Sequence, residues 1–208
     1  MNWADNFTAN PDLPATSSEE RAQYERHFEL LKEWNEKFNL VSRKSIQDAF
    51  SIHYADSLCL ADAASAFFGD LPVIDLGSGA GFPGSVLAIR YPERPVLLLE
   101  RSVKKQTFLQ ETKQKLSLAN VQIADSFGPR SKTKAFVISR AVMAPKECLE
   151  YLSAFLAPGS RVAITVGGLA EFPEVQKGYR NLKNAEYTLP GEFGKRKISV
   201  FELVPRGT

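Results

Sequence analysis

Short apolar runs, often with β-branched residues, alternate with longer segments from residue 72 onward, and this pattern limits the fold more than any other feature. Runs of this kind are typical of strands, and the segments between them have the length of helices. Their alternation implies βαβ crossovers and a parallel sheet covered by helices on both faces. The runs are residues 73–74, 96–99, 121–123, 136–138 and 161–166.

Two later runs, residues 185–189 and 198–203, are joined by a Gly-containing turn. Strands with so short a connection pair antiparallel, so these runs predict a final hairpin. The expected fold class is α/β: a doubly wound, mostly parallel, Rossmann-like sheet with an antiparallel C-terminal hairpin.

The first third of the chain predicts an N-terminal helical cap. Ser17 and Glu20 have the S-x-x-E spacing of a capping box, so a helix is expected to begin there. A second helix is expected over residues 46–67, ending before Gly69. The first helix carries an apolar stripe that we interpret as core packing, formed by Tyr24, Phe28, Leu31, Trp34 and Phe38.

The expected organisation is one compact unit, with the cap at 1–70 and the core at 71–202. Residues 203–208 resemble a protease-cleavage remnant, although a native terminus reads the same, and we assign them no function. No segment has the length and apolarity of a membrane span, and no secretion signal is evident, which indicates a cytoplasmic protein. Since no exposed heptad stripe is evident, a monomer is expected.

Composition argues against metal and redox chemistry but leaves the partner open. Cys59 and Cys148 have no CxxC partner and lie among apolar neighbours, so buried free thiols are expected and a metal site is not. The formal net charge of +2 is too small to prove a nucleic-acid partner, although clustered charges can still form a basic face.

Glycines follow the first predicted strand in the segment 73–84, VIDLGSGAGFPG. They let the backbone approach a ligand that a Cβ would block, so a nucleotide-like ligand is expected there. The sixth position from Gly77 is Phe82, which breaks the GxGxxG pattern of dinucleotide sites, and no P-loop Lys-Ser or Lys-Thr follows. The form D-x-G-x-G-x-G, from Asp75 to Gly81, resembles the first motif of class I methyltransferases, which implies S-adenosylmethionine as the cofactor.

Glu100 ends the second predicted strand, 25 residues after Asp75. An acidic side chain at this distance is suited to accept hydrogen bonds from both ribose hydroxyls of a cofactor. The alternatives are a tight structural turn for the glycines and a solvated or capping role for Glu100.

Residues on both sides of the glycine segment narrow the resemblance to one family of methyltransferases. LKEWN at 31–35 with FNLVS at 38–42, then His53 with Asp56-Ser57, are similar to the helical region of the RsmG (GidB) family. Further matches are GFPGS at 81–85, Lys104-Lys105 with Phe108-Leu109, SRA at 139–141 and LAPGSR at 156–161. The resemblance covers about residues 24–202. It implies methylation of guanine N7 in small-subunit (16S) ribosomal RNA, with that RNA or the assembling small subunit as partner.

Carried over position by position, the resemblance implies a set of cofactor contacts. Gly77 and Phe82 would line the methionine end, and Gly128-Pro129, after the third strand, the adenine. The full set is Asp75, Gly77, Ser78, Gly79, Phe82, Glu100, Gly128, Pro129 and Arg140.

Arg140 is also the candidate catalytic residue. Donation to guanine O6 or to a phosphate leaves N7 free, whereas the usual bidentate contact to O6 and N7 would block it. The alternative for Arg140 is an ion pair at the end of a strand. His53 is interpreted as a packing residue on an amphipathic helix and not as catalytic.

Three positions depart from the family pattern: the family has arginine at the positions of Ile52 and Phe127, and lysine at that of Val166. Three positive charges are therefore absent from the expected cleft. Arg130 is a candidate substitute, and Arg196 keeps the basic residue expected near the last strand. Other basic residues are suited equally to RNA phosphates or to an ordinary solvated surface, namely Lys104, Lys105, Lys113, Lys115, Lys132, Lys134, Lys195 and Lys197.

These departures leave two other functions open. One is a class I methyltransferase for another RNA or a small molecule, and the other is a weakly active RNA-binding or assembly protein that retains the fold. Methyl transfer to N7 needs no general base because that nitrogen is unprotonated. The lack of an acid–base pair in the sequence is therefore compatible with the main prediction.

Overall fold

A computed structural model describes residue 3 and residues 5–128, 132–140 and 142–205. Within these ranges seven strands form one sheet, in the order β3-β2-β1-β4-β5-β7-β6. β1 to β5 are parallel to one another, and β7 is antiparallel to both β5 and β6. The predicted class I, Rossmann-like fold is confirmed. The strands are β1 Val73–Leu76, β2 Val96–Leu99, β3 Val121–Ala124, β4 Phe136–Arg140, β5 Arg161–Gly167, β6 Tyr179–Thr188 and β7 Lys195–Leu203.

The strand order reverses direction between β1 and β4. From β1 the chain adds β2 and β3 on one side, and then returns to place β4 and β5 on the other side. In such sheets a crevice opens at the carboxyl ends of the strands at the point of reversal. The loop after β1 and the last residue of β4, Arg140, therefore lie on opposite sides of one crevice.

Helices cover both faces of the sheet, as predicted. α4 and α5 pack in the apolar cluster that covers one face, together with α2 and α6, while α7 packs in the cluster on the other face. The helices are α1 Asp5–Thr8, α2 Ser18–Lys37, α3 Arg43–Gln47, α4 Asp56–Ala64, α5 Gly84–Arg90, α6 Val103–Lys115 and α7 Pro145–Ser153, with a π-helical segment at Phe50–Ala55 and a 3₁₀ turn at Ser65–Phe67.

α2 begins where the sequence predicted. The Ser17 hydroxyl accepts from the Glu20 amide at 3.1 Å, and the Glu20 carboxylate accepts from the Ser17 amide at 2.7 Å, which completes the capping box. On the apolar stripe, Tyr24 and Leu31 are fully buried. Trp34 is half-buried, and its indole donates to Glu111 on α6 at 3.0 Å. The stripe packs against the core, as expected.

The second predicted helix, residues 46–67, is divided in the structure. α3 already begins at Arg43, where the Ser42 hydroxyl accepts from the Ser45 amide at 3.0 Å. Asp48 then leaves the helical conformation, with φ −103° and ψ 19°. The π-helical segment follows and leads directly into α4. π-helical turns inside helices are often associated with functional sites, and this one faces the crevice.

Two connections contain no helix; a helix was expected in the first of them, whereas the sequence analysis made no prediction for the second. These are the described residues between β3 and β4, and residues 168–178 between β5 and β6. Both segments contain proline and glycine and lack an apolar stripe at helical spacing, so they have no face to bury. β6 also begins at Tyr179, six residues before the predicted hairpin strand at 185.

The last strand reaches further than the predicted core boundary at 202. Leu203 is only 8% exposed and belongs to the apolar cluster with α7. Its amide donates to the Ser160 carbonyl at 2.9 Å, and its carbonyl accepts from the Gly159 amide at 2.7 Å. Leu203 therefore belongs to β7, as the predicted strand over 198–203 implies, although it is also the first residue of the tail segment proposed at 203–208. Residues 206–208 of that tail lie outside the described residues.

The cap and the sheet share one apolar cluster. Phe68, next to the predicted boundary at 70, packs edge-on against Phe136 of β4 at 4.7 Å and against Tyr91 at 5.5 Å between ring centroids. We propose that the regions 1–70 and 71–202 fold as a single unit.

Replacement of Leu203 by alanine tests its place in the core. Removal of a buried leucine side chain costs about 2–5 kcal/mol, because contacts are lost and a cavity remains. We expect Leu203→Ala to lower the free energy of unfolding, measured by urea denaturation, by about this amount. The matched control is Leu169→Ala, since Leu169 is fully exposed and should change stability by less than about 0.5 kcal/mol. Equal effects of the two substitutions would contradict the assignment.

Candidate active site

The loop after β1 has the backbone conformation that its glycines permit. Gly77, Gly79 and Gly81 have φ of 76°, 57° and 86°, in the left-handed region that favours glycine. The amides of Gly77 and Ser78 both donate to the Leu99 carbonyl, at 2.8 and 3.0 Å. The loop is therefore fixed to the carboxyl end of β2 as well as to β1.

Asp75 and Ser78 face into this loop. Asp75 is 1% exposed, and its Oδ2 accepts from the Gly84 amide at 2.9 Å at the start of α5. Burial raises the pKa of Asp75 to about 6. The Ser78 hydroxyl is buried and donates to the Asp75 carbonyl at 3.0 Å. Both predicted contact residues thus hold the loop in shape from within.

Glu100 lies beside the glycines, as its spacing predicted. Its Oε2 accepts from the Gly79 amide at 2.9 Å, and its Oε1 accepts from the Ser102 amide at 2.8 Å. The side chain is half-buried at the edge of the crevice. The structure therefore brings the loop and the carboxylate together.

Phe82 is only 5% exposed, because aromatic residues of the cap surround it. His53 stacks on its ring at 4.7 Å and 13°, and Tyr54 and His27 meet it edge-on at 5.0 and 5.2 Å. His27 Nδ1 lies 2.7 Å from the Tyr54 hydroxyl. His53 is a packing residue in this arrangement, as the sequence interpretation had it, and Phe82 supports the crevice from below.

Arg140 extends from the end of β4 into the same group. Its Nη1 donates to Asp56 Oδ2 at 2.9 Å and to the Ile52 carbonyl at 3.2 Å. Its Nη2 lies 3.4 Å from His53 Nδ1, and its Cζ lies 5.8 Å from the centre of the Phe82 ring. The strand-end ion pair that was the alternative role for Arg140 is thus present, and about a fifth of the side chain stays exposed.

Asp56, Tyr187 and Val142 belong to the site but were not predicted as functional. Asp56 is buried, and its Oδ1 accepts from the Tyr187 hydroxyl at 2.8 Å. A Cβ at Gly77 would lie 2.6 Å from a methyl of Val142, so the segment after β4 crosses directly over the loop. The resemblance had named Asp56 only as part of a motif, and no local signal pointed to the other two.

The expected adenine end is only partly described. Gly128 is exposed, and a Cβ there would meet nothing within 4 Å. Pro129 and the candidate substitute Arg130 lie outside the described residues. Phe127 stands where the family has an arginine. Its ring stacks on that of Phe155 at 4.9 Å and 13°, just after the end of α7.

The other two positions that depart from the family pattern, Ile52 and Val166, have different surroundings. Ile52 offers its backbone carbonyl to Arg140, a contact that does not depend on which side chain occupies this position. Val166 is half-buried against the cluster with α7. Arg196, the retained basic residue, has its Nε 4.0 Å from Asp56 Oδ1.

Several basic residues that were candidates for RNA contact are held by the protein. Lys197 donates to the Ala170 carbonyl at 2.9 Å, and Lys132 donates to the Ser153 carbonyl at 2.7 Å. Lys195 is largely exposed and lies 3.6 Å from Glu186. Of the β7 lysines, Lys195 is thus the more accessible to a nucleic acid.

The expectations for cysteines hold in the described structure. Cys59 and Cys148 are free and buried, and burial raises the pKa of Cys59 to about 12. Among the described residues no group of three or more His, Cys, Asp or Glu side chains is placed to hold a metal ion. In the same part of the chain, no helix combines the length and apolarity needed to cross a membrane.

The crevice fits the predicted cofactor by its construction. Glycines with positive φ keep the loop, the cradle of the crevice, free of side chains of its own at three positions: a Cβ at Gly79 would meet only a backbone oxygen at 3.9 Å, whereas a Cβ at Gly77 would clash with Val142. Glu100 adds a carboxylate that is partly accessible at the rim. Among the described residues that form the loop and its rim, none is a lysine that could bind a phosphate, and the predicted cofactor carries no phosphate.

Comparison with known sequences decides the family. A family model described as GidB, rRNA small subunit methyltransferase G, matches residues 20–188. The chain belongs to this family. It is 31% identical to the ribosomal RNA small subunit methyltransferase G of Streptococcus pneumoniae, over 95% of this chain and 88% of that protein. The protein of that name in Bacteroides fragilis is 33% identical over 74% of this chain and 75% of its own length. The RsmG (GidB) prediction is confirmed.

Solved structures with low identity share the fold. A SAM-dependent methyltransferase from Aquifex aeolicus matches with a TM-score of 0.58 at 17% identity, over 79% of this chain and all of that chain. A putative O-methyltransferase from Klebsiella pneumoniae matches with a TM-score of 0.60 at 12% identity, over 98% of both chains. These likenesses concern the fold alone.

The buried histidines of the family's helical region give a pH dependence. Burial lowers the pKa of His27 to about 4 and that of His53 to about 3, from an ordinary value of 6.5. Both bind protons in the unfolded chain at pH values where the folded protein excludes them, so stability falls as pH drops from about 6.5 to about 4. The raised pKa of Asp75 acts in the opposite direction between about 6 and about 4. Two histidines lose stability and one aspartate gains it, so the net loss near pH 5 is on the order of 1 kcal/mol per pH unit.

Urea unfolding between pH 7 and pH 4.5 measures this slope. His53→Gln should reduce the slope near pH 5 to close to zero, because it removes one of the two excluded protons. The Leu169→Ala control should retain the slope of the unsubstituted protein. An unchanged slope in His53→Gln would show that this histidine is not buried in its neutral form.

Proposed function

We propose that this protein methylates N7 of a guanine in small-subunit (16S) ribosomal RNA, with S-adenosylmethionine as the methyl donor. One observation carries the proposal: in a chain of the rRNA small subunit methyltransferase G family, the glycine loop with Glu100 and the guanidinium of Arg140 face one crevice. S-adenosylmethionine is the family's cofactor and supplies an electrophilic methyl group when bound.

The residues of the crevice suit a reaction that needs positioning and no proton transfer. Guanine N7 carries a lone pair, so an in-line displacement at the methyl group requires no base. His53 is packed on Phe82, and its lowered pKa keeps it neutral at physiological pH. A near-attack geometry contributes up to about 7–11 kcal/mol in favourable cases. Positioning is therefore the main contribution that we assign to the protein.

Each side of the crevice has a separate task in this proposal. Gly77 and Gly79 let the methionine part approach the backbone, while Glu100 accepts hydrogen bonds from the ribose. Gly128 and Pro129 lie beside the adenine. Asp75, Ser78 and Phe82 act from inside, by holding the loop.

Arg140 serves the substrate side. Its exposed edge donates to guanine O6 or to a phosphate, so N7 stays free for the methyl group. The ion pair with Asp56 does not exclude this role, because only Nη1 is bonded to the carboxylate. Arg140 is accordingly our candidate for the catalytic residue.

We further propose that the protein acts as a cytoplasmic monomer, without a metal, on ribosomal RNA or the assembling small subunit. The three lost charges keep a second candidate in view, a methyltransferase for another RNA or a small molecule. Phe127 and Val166 support it, because apolar packing has replaced charges that the family uses at this crevice.

Methyl incorporation tests the proposal directly. Small subunits from a strain that lacks this protein are incubated with the purified protein and radiolabelled S-adenosylmethionine, and the modified base is mapped. We expect label at a guanine N7, and naked 16S RNA in parallel tells which form is the substrate. Tight cofactor binding without incorporation into either form would favour the second candidate.

Gly77→Val tests the cradle. A branched side chain there meets Val142 and is strained at a φ of 76°, so we expect cofactor affinity to fall by at least about 100-fold in a calorimetric titration. Gly178→Val is the matched control, because Gly178 also has a positive φ, 87°, but lies in open space away from the crevice. If both variants lose affinity equally, general strain is responsible and the cradle is not.

A further inference from the structure

Asp56 is a buried carboxylate that binds partners from three strands. It is the first residue of α4, and its side chain is 5% exposed. Its Oδ2 accepts from Arg140 on β4, its Oδ1 accepts from Tyr187 on β6, and the Arg196 Nε on β7 lies 4.0 Å from Oδ1. A charge so deeply buried is tolerated only where its partners are well placed. This carboxylate therefore has a defined orientation.

The orientation of Asp56 determines that of Arg140. The guanidinium is a rigid planar fork, so bonds at one nitrogen fix the direction of the other. Nη1 is held twice, by Asp56 Oδ2 and by the Ile52 carbonyl. Nη2 consequently lies 3.4 Å from His53 Nδ1, and the guanidinium carbon lies over the ring of Phe82, which follows the glycine loop.

Tyr187 fixes the plane of the Asp56 carboxylate. Its hydrogen bond goes to Asp56 and not to Arg140. The terminal torsion of an aspartate is broad, so one bond at Oδ2 leaves the carboxylate free to rotate. The Tyr187 hydroxyl, 2.8 Å from Oδ1, restrains this rotation. Burial, together with the charge of Asp56, raises the pKa of Tyr187 far above its ordinary value, so the hydroxyl remains a donor.

We propose that Asp56 and Tyr187 are positioning residues for methyl transfer. Tyr187 fixes the Asp56 carboxylate, and the carboxylate holds Arg140 with its second nitrogen toward the place where the guanine meets the methyl donor. This inference rests on the proposed function, since it takes Arg140 as the group that faces the base. It assigns to the C-terminal hairpin a part in the reaction.

Tyr187→Phe isolates the effect, because it removes one hydroxyl and keeps the ring. We expect kcat for small-subunit methylation to fall about tenfold, since a small misplacement of a positioned group has effects of up to about 100-fold. The KM for the particle and the dissociation constant for S-adenosylmethionine should change less than about twofold. Asp56→Asn should act in the same direction and more strongly.

Tyr179→Phe is the matched control. Tyr179 lies at the other end of the same strand, and its hydroxyl donates to the Leu149 carbonyl at 2.9 Å, within the cluster around α7. Both substitutions remove one hydrogen bond of a largely buried tyrosine, so they should lower the melting temperature by similar amounts. Only Tyr187→Phe should lower kcat.

A double substitution shows whether Tyr187 acts through Arg140. In the Arg140→Lys background the planar fork is absent, so Tyr187→Phe should reduce kcat no further. Independent, multiplicative losses would overturn the inference. An unchanged kcat in Tyr187→Phe would overturn it as well, and would leave the proposed function intact if Arg140→Lys alone impairs methylation.

A readout without turnover separates this inference from the proposed function. Side-chain ¹⁵N NMR reports rotation of the Arg140 guanidinium, which should be slow in the unsubstituted protein and in Tyr179→Phe, and faster in Tyr187→Phe. Equal rotation in all three proteins would overturn the positioning role. Absence of methylation by the unsubstituted protein would overturn the proposed function, whatever the rotation rates.

Discussion

The carboxylate of Asp75 lies buried beneath the loop after β1, and the amide of Gly84 donates to it. The bond joins the end of β1 to the first residue of α5. A Cβ at Gly84 would come within 2.6 Å of this carboxylate and against Leu98 of β2, so strand and helix approach more closely than any side chain would allow. Burial of the carboxyl raises its pKa to about 6, which is the energetic cost of this arrangement. The path of the loop, and hence the cradle, depends on this contact.

The site also depends on contacts between that loop and the helical cap. Phe82 lies between the loop and α5, and the ring of His53 stacks upon it. His53 belongs to the π-helical segment, and the next turn supplies Asp56, which binds Arg140. A Rossmann-like sheet alone would place the glycines and Arg140 at the crevice. The cap is required to hold the arginine, and is therefore part of the site.

The sequence predicted the strands well and the site contacts less completely, for physical reasons. β1 and β4 are buried along almost their whole length, so their composition alone identifies them. Glu100 was found because it directly follows a strand. The helix break at Asp48 and the π-helical segment after it were missed, because they depend on contacts between residues far apart in the chain. Within that segment, His53 stacks on Phe82 and Ile52 accepts from Arg140. Tyr187 lies on a half-exposed strand whose outward residues are polar, and no periodicity marks its inward contact with a distant aspartate.

The three basic residues of the family pattern that this chain lacks affect the balance of charge around Asp56. Asp56 faces two guanidinium groups, those of Arg140 and Arg196, while Glu100 adds a carboxylate at the rim, so the crevice has no large excess of positive charge. Ile52 contributes a carbonyl and no charge, and Phe127 packs against Phe155. Attraction of RNA phosphates grows with the number of cations that meet them, so this crevice has less of that attraction to offer. Under the proposed function, recognition of the guanine would then depend more on the direction of the Arg140 guanidinium than on the number of charges around it. A short-range, directional contact of this kind places a base accurately, which is what an in-line methyl transfer requires.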